Sequence, residues 1–166
     1  MKTRILVLAV AAAAFALAQP INAANDTKGL TVSATVSATA KLSLSSAAVS
    51  FADADPDTVP SIAATGGAIT ITAKAKTGAA GVATLTVLAA ADLVSGSDSI
   101  AITNVTWTVT GASYAAGTMS KSSAVSVGSW TGSGVRVGTQ SYLLANSWSY
   151  TTGSYSASAT YTLTAP

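Results

Sequence analysis

Gly153-Ser154-Tyr155-Ser156-Ala157-Ser158-Ala159-Thr160-Tyr161-Thr162-Leu163-Thr164 is the stretch from which the chain is best read. Tyr155, Ala157, Ala159, Tyr161 and Leu163 alternate with serine and threonine. A strict period of two over the eleven residues from Ser154 to Thr164 predicts a β-strand with one buried and one wet face. Gly153 opens the run and Pro166 follows it, as punctuation at strand ends. A second run stands near the other terminus, where Leu30, Val32, Ala34 and Val36 alternate with Thr31, Ser33, Thr35 and Ser37. Its β-branched residues favour extended backbone.

Between these runs, short strand patterns recur. Val49-Ser50-Phe51 is a brief apolar patch, and Ala52 to Gly67, with Pro56, Pro60 and Gly66-Gly67, reads as a surface loop. Strands are expected over Ala68 to Ala75 and over Val82 to Ala89, with Asp92 to Ser99 as the next loop. Ile100 and Ile102 share one parity, whereas Val105, Trp107 and Val109 share the other. That slip near Thr103-Asn104 predicts a β-bulge or a strand that changes sheets. A weaker strand over Thr118 to Val127 is expected to end in a Gly128 to Gly134 loop, before Val135 to Leu144. The pattern predicts an all-β immunoglobulin-like sandwich of roughly seven to nine strands.

Met1 to Ala23 reads as a cleaved secretory signal peptide, with Lys2 and Arg4 ahead of the apolar stretch Ile5 to Ala18 and a small-residue exit. The apolar run is short for a stable membrane span, so residues 24–166 are expected to form one exported domain. The signal looks bacterial, which places the chain between periplasm and cell surface. From Ala24 on, six cations (Lys28, Lys41, Lys74, Lys76, Lys121, Arg136) balance six aspartates (Asp26, Asp53, Asp55, Asp57, Asp92, Asp98), a net charge of zero. The balance leaves no basic footprint for nucleic acid. So few charges suit a molecule that associates.

The chain of 166 residues contains no cysteine, histidine or glutamate, which removes disulfides, the commonest metal ligand and every Ser–His or Cys–His nucleophile pair. Neither an enzyme nor a cofactor is expected. Asp53, Asp55 and Asp57 form the densest acidic group, but Thr58 and Val59 follow where a calcium loop needs glycine. Turn chemistry beside Pro56 explains these residues equally well. Of the tryptophans, Trp107 shares parity with Val105 and Val109 and is expected in the core. Trp130, in a glycine-rich loop, and Trp148 are the candidates for ligand contact. A self-contained surface module binding carbohydrate or protein is therefore one alternative, and a small outer-membrane β-barrel is another.

The front run Leu30-Thr31-Val32-Ser33-Ala34-Thr35-Val36 and the closing run from Gly153 to Leu163 together resemble chaperone–usher pilin subunits, nearest their spore-coat-protein-U-like branch. Val49-Ser50-Phe51 followed by acidic residues is similar to that family's early segment. The family's cysteine pair is absent, and Thr39-Ala40-Lys41 stands where one partner would be. The resemblance implies a sandwich lacking one strand, completed by the N-terminal segment of a neighbouring subunit. Leu30, Val32, Ala34 and Val36 would be the donated residues. Tyr155, Ala157, Ala159, Tyr161 and Leu163 would form a wall of the receiving groove. Implied partners are further copies or related subunits, a periplasmic chaperone and an outer-membrane usher, in a pilus, fibre or coat.

Overall fold

Alternation decides which residues face inward, and glycine and proline decide where the chain reverses. The computed structural model describes residues 24–166, so the expected signal segment lies outside the described residues. Its strands are β1 (Thr39–Leu44), β2 (Ser50–Phe51), β3 (Ser61–Thr65), β4 (Ile69–Lys76), β5 (Val82–Ala89), β6 (Leu93–Ser95), β7 (Asp98–Ile100), β8 (Val105–Thr110), β9 (Gly117–Thr118), β10 (Val125–Thr131), β11 (Gly134–Ala145) and β12 (Ala159–Thr164). The molecule is an all-β sandwich. The twelve strands among the described residues exceed the expected number because β2, β6, β7 and β9 are pieces of two or three residues.

The larger sheet is built on β11, which pairs antiparallel with β4 and β3 in tandem on one side and with β8 on the other. Beyond these lie β1 against β4, β2 against β3 and β9 against β8. The second sheet runs β10-β5-β12, and β6 and β7 form a separate hairpin. These are open sheets with edges, not one closed cylinder, which sets aside the barrel.

The core lies where β4 and β5 turn their large residues inward. Ile71, Leu85, Val87 and Val127 are fully buried, and Trp107 joins them from β8. Each such side chain contributes about 1.5–3 kcal/mol by leaving water. The Trp107 indole N–H donates to the Ala115 carbonyl at 2.9 Å, which keeps its one polar atom satisfied. Toward one end the core narrows to Ala73, Ala75 and Ala83, and Trp130 fills the space that these small residues leave.

Several expectations are corrected. The Ala52 to Gly67 loop contains β3, anchored by buried Ile62, and the Asp92 to Ser99 loop is the β6–β7 hairpin turning at Gly96 with φ 59°. The phase slip before Val105 is a 3-10 turn, Ile102–Asn104, not a bulge. The register shift falls instead between Ser126 and Gly128, where β10 meets β5. Of the expected Thr118 to Val127 strand only Thr118, in β9, and Val125 to Val127 are in strands; β10 begins at Val125 and runs through the expected Gly128 to Gly134 loop as far as Thr131. The closing strand is shorter than its alternation, because only Ala159–Thr164 joins a ladder and Ser156 makes an isolated bridge to Val94. The Leu30 to Val36 run belongs to no ladder, and the first strand begins at Thr39.

The body spans Thr35–Pro166 and has two poles. At the first, β1 begins opposite the end of β4 (Thr39 faces Lys76), and the Gly78–Gly81 and Gly132–Ser133 turns meet through Gly132 N–H to Gly81 O, 2.8 Å. At the second, β11 ends opposite the start of β3 (Ala145 faces Ser61). There the Asn146 amide donates to Ala54 O and Val59 O at 2.9 and 3.0 Å, tying the loop before β3 to the turn after β11.

Candidate functional site

The two sheets part along one side of the body. Strand β12 pairs only with β5, so its other edge carries no ladder among the described residues. Strand β1, on the margin of the opposite sheet, comes alongside it near the first pole, where Leu42 and Leu163 pack on the same alanine and Trp130 cluster. Toward the second pole the margins separate, leaving an apolar groove of about 380 Å³. Ala47, Ala48 and Val49 rim one side, and Ala157, Ser158, Ala159 and Tyr161 rim the other. Buried Ile69, Ile102, Val105, Met119 and Tyr142 supply the floor.

One polar cluster interrupts that floor. Gln140, fully buried, accepts hydrogen bonds on Oε1 from the Tyr161 and Tyr142 hydroxyls at 2.5 and 3.1 Å, and the two hydroxyls also contact each other. The Gln140 amide nitrogen has no partner among the described residues. Burial pushes the Tyr161 phenol well above its ordinary pKa, and the adjacent Tyr142 adds to the rise. Tyr142 is raised as well, chiefly by burial. The groove therefore presents neutral phenols, the Ser46 and Ser158 residues and apolar carbon, and no charged side chain, a lining that suits a strand with apolar side chains better than a charged ligand.

Of the residues expected in the wall, Tyr161 and Leu163 point inward and are half-buried, while Ala157 and Ala159 are exposed at the rim. Tyr155 lies outside β12, half-buried, with its hydroxyl bonded to Thr151 O at 2.8 Å. The front run has the opposite character. Leu30 is 87% exposed, Val32 84% and Val36 75%, and Ala34 is exposed too. Sequence reasoning missed the other wall of the groove. Ala47 to Val49 follow two serines and carry no alternation, so only their place beside β12 identifies them.

The tryptophans divide differently from expectation. Trp130 is 7% exposed, with the Arg136 guanidinium 5.9 Å from its ring, so it is a core residue and not a loop contact. Trp148 is 70% exposed and held in place, its indole N–H donating to Asp57 Oδ1 at 3.0 Å. Asp55 accepts the Asp57 backbone N–H on its carboxylate at 2.9 Å, an Asx turn. Asp53, Asp55 and Asp57 are exposed, and no group of three ligating side chains comes together for a metal among the described residues.

Compared with family models, curated proteins and solved structures, the chain matches none of them.

Proposed function

We propose that the protein is a structural subunit of an extracellular fibre, pilus or surface coat, linked by donation of the Leu30 to Val36 strand into the groove of another copy. One observation carries this reading: an apolar groove lies open beside the free edge of β12 in a chain whose front run exposes alternate apolar side chains. Each half answers the other. An inserted strand supplies backbone partners to the open edge, and its alternate side chains fill the groove. Burying Leu30, Val32 and Val36 adds about 1.5–3 kcal/mol each before ordering costs. Head-to-tail insertion does not close on itself, so it propagates as a fibre.

Export to the bacterial surface, a periplasmic chaperone that covers the groove before assembly, and an outer-membrane usher belong to the same proposal. Removal of residues 24–37 tests it. The shortened chain should lose all polymer, seen by sedimentation and electron microscopy, yet keep the thermal unfolding of the intact monomer. Polymer that persists without the segment, or a body that unfolds when the segment is removed, would overturn the reading.

A further inference from the structure

Strand donation brings the two poles of successive copies together, and their charges are opposite. At the first pole, Lys41 and Lys74 lie directly across from each other on β1 and β4, and Lys76 follows two residues on. All three are exposed, and none is in an ion pair among the described residues. Like charges facing across a ladder destabilise it unless something neutralises them. At the second pole, Asp53, Asp55 and Asp57 are exposed beside Trp148, also without an ion pair among the described residues. About ten residues of β11 separate the poles, roughly 30 Å at strand rise, several times the screening length of physiological salt. Within one copy the two groups therefore do not neutralise each other.

Resting on the strand-donation reading, we propose that the lysine corner of one copy docks on the aspartate and Trp148 pole of the copy that receives its strand. The groove lies on the second-pole side, with Phe51 in its lining and Asp53 two residues further along the chain. A donated strand leaving there has only Ser37 and Ala38, about 7 Å of chain, before β1 begins. Lys41 and its neighbours then arrive beside the aspartates. The exposed indole face, held by Asp57, offers a lysine ammonium a cation–π contact next to the carboxylates. Leaving by the opposite pole would set lysines against lysines, so the charges also select a donated strand antiparallel to β12.

The test uses the exported product of the full-length chain, with assembly rate followed by light scattering and sedimentation at 50 and 500 mM NaCl. K74D/K76D and D53K/D57K should each slow polymer growth about tenfold at low salt, and the combined quadruple variant should recover most of the rate. W148A should slow it about threefold. The D53K/D57K and W148A monomers should unfold at the parent's midpoint, since those residues are exposed, whereas the K74D/K76D monomer should unfold slightly higher, because an aspartate in place of Lys74 would face Lys41 with opposite charge. Single reversals that assemble like the parent, a quadruple variant that fails to recover, or assembly indifferent to salt would each overturn the charge-matched contact. Polymer unaffected by these changes but lost on removing residues 24–37 sinks this inference alone. Polymer that survives that removal sinks strand donation and this contact with it.

Discussion

Trp130 and Trp148 show how residue-level chemistry depends on what the neighbours leave open. Trp130 sits in β10 between glycines that suggest a loop. Yet Gly128 is there because a side chain would collide: an added Cβ would stand 2.6 Å from the Ser113 carbonyl. The glycine serves close approach, the strand continues, and Trp130 turns onto Ala73, Ala75 and Ala83. Trp148 follows β11 in a turn and has nothing above it. Trp130→Ala should therefore destabilise the monomer by about 3–5 kcal/mol, the range for truncating a buried tryptophan. Trp148→Ala should change monomer stability by no more than about 0.5 kcal/mol. Urea unfolding of the two variants decides this, and equal costs would contradict the assignment of one indole to the core and the other to solvent.

Elements were legible wherever large apolar residues alternate. In β4 and β5, Ile69, Ile71, Leu85 and Val87 mark the inner face without ambiguity, and both strands lie where the pattern puts them. Strand β3 was hidden because Ile62 is its one large residue among serine, alanines and threonine, with Pro60 before it and Gly66-Gly67 after it. The β6–β7 hairpin was hidden because arms of three residues are too short to establish a period. The closing run was visible but overlong, since alternation in Ser154 to Ser158 reports side-chain parity and not a partner strand. The groove was half legible: Tyr161 and Leu163 alternate, whereas Ala47 to Val49 and Gln140 acquire meaning only once the sheets are stacked. The front run is the extreme case, a strand pattern with no ladder partner among the described residues. If that pattern serves a neighbour, parity must matter. Val32→Asp should abolish polymer, because an unpaired carboxylate in an apolar groove costs several kcal/mol. Ser33→Asp, on the other parity, should assemble nearly as well as the parent, and neither change should alter monomer unfolding. Equal assembly by both variants would remove burial of the Val32 face from the account.

For the whole molecule, charge is scarce and its titration is confined to the extremes of pH. No histidine, cysteine or glutamate is present, so no side chain has an ordinary pKa between those of aspartate, near 4, and tyrosine, near 10. Asp92 is held below the usual aspartate value, first by the Lys121 hydrogen bond and then by the Ile102 N–H. A lowered folded pKa gives stability that is present above the unfolded value, about 3.9, and lost as pH falls below it. Tyr114, Tyr142, Tyr150 and Tyr161 are all raised by burial. A raised folded pKa gives the opposite sign: stability is complete below the unfolded tyrosine value, about 10, and declines as pH climbs past it, because the unfolded chain ionises first. The monomer's urea midpoint should therefore be level from about pH 5 to about pH 9.5 and fall on both sides. Tyr161→Phe should make the alkaline fall shallower while leaving the acid limb unchanged, whereas Lys121→Ala should weaken the acid limb alone. A step within the level region, or an alkaline limb indifferent to Tyr161, would show that burial does not hold the Tyr161 phenol neutral in the folded chain.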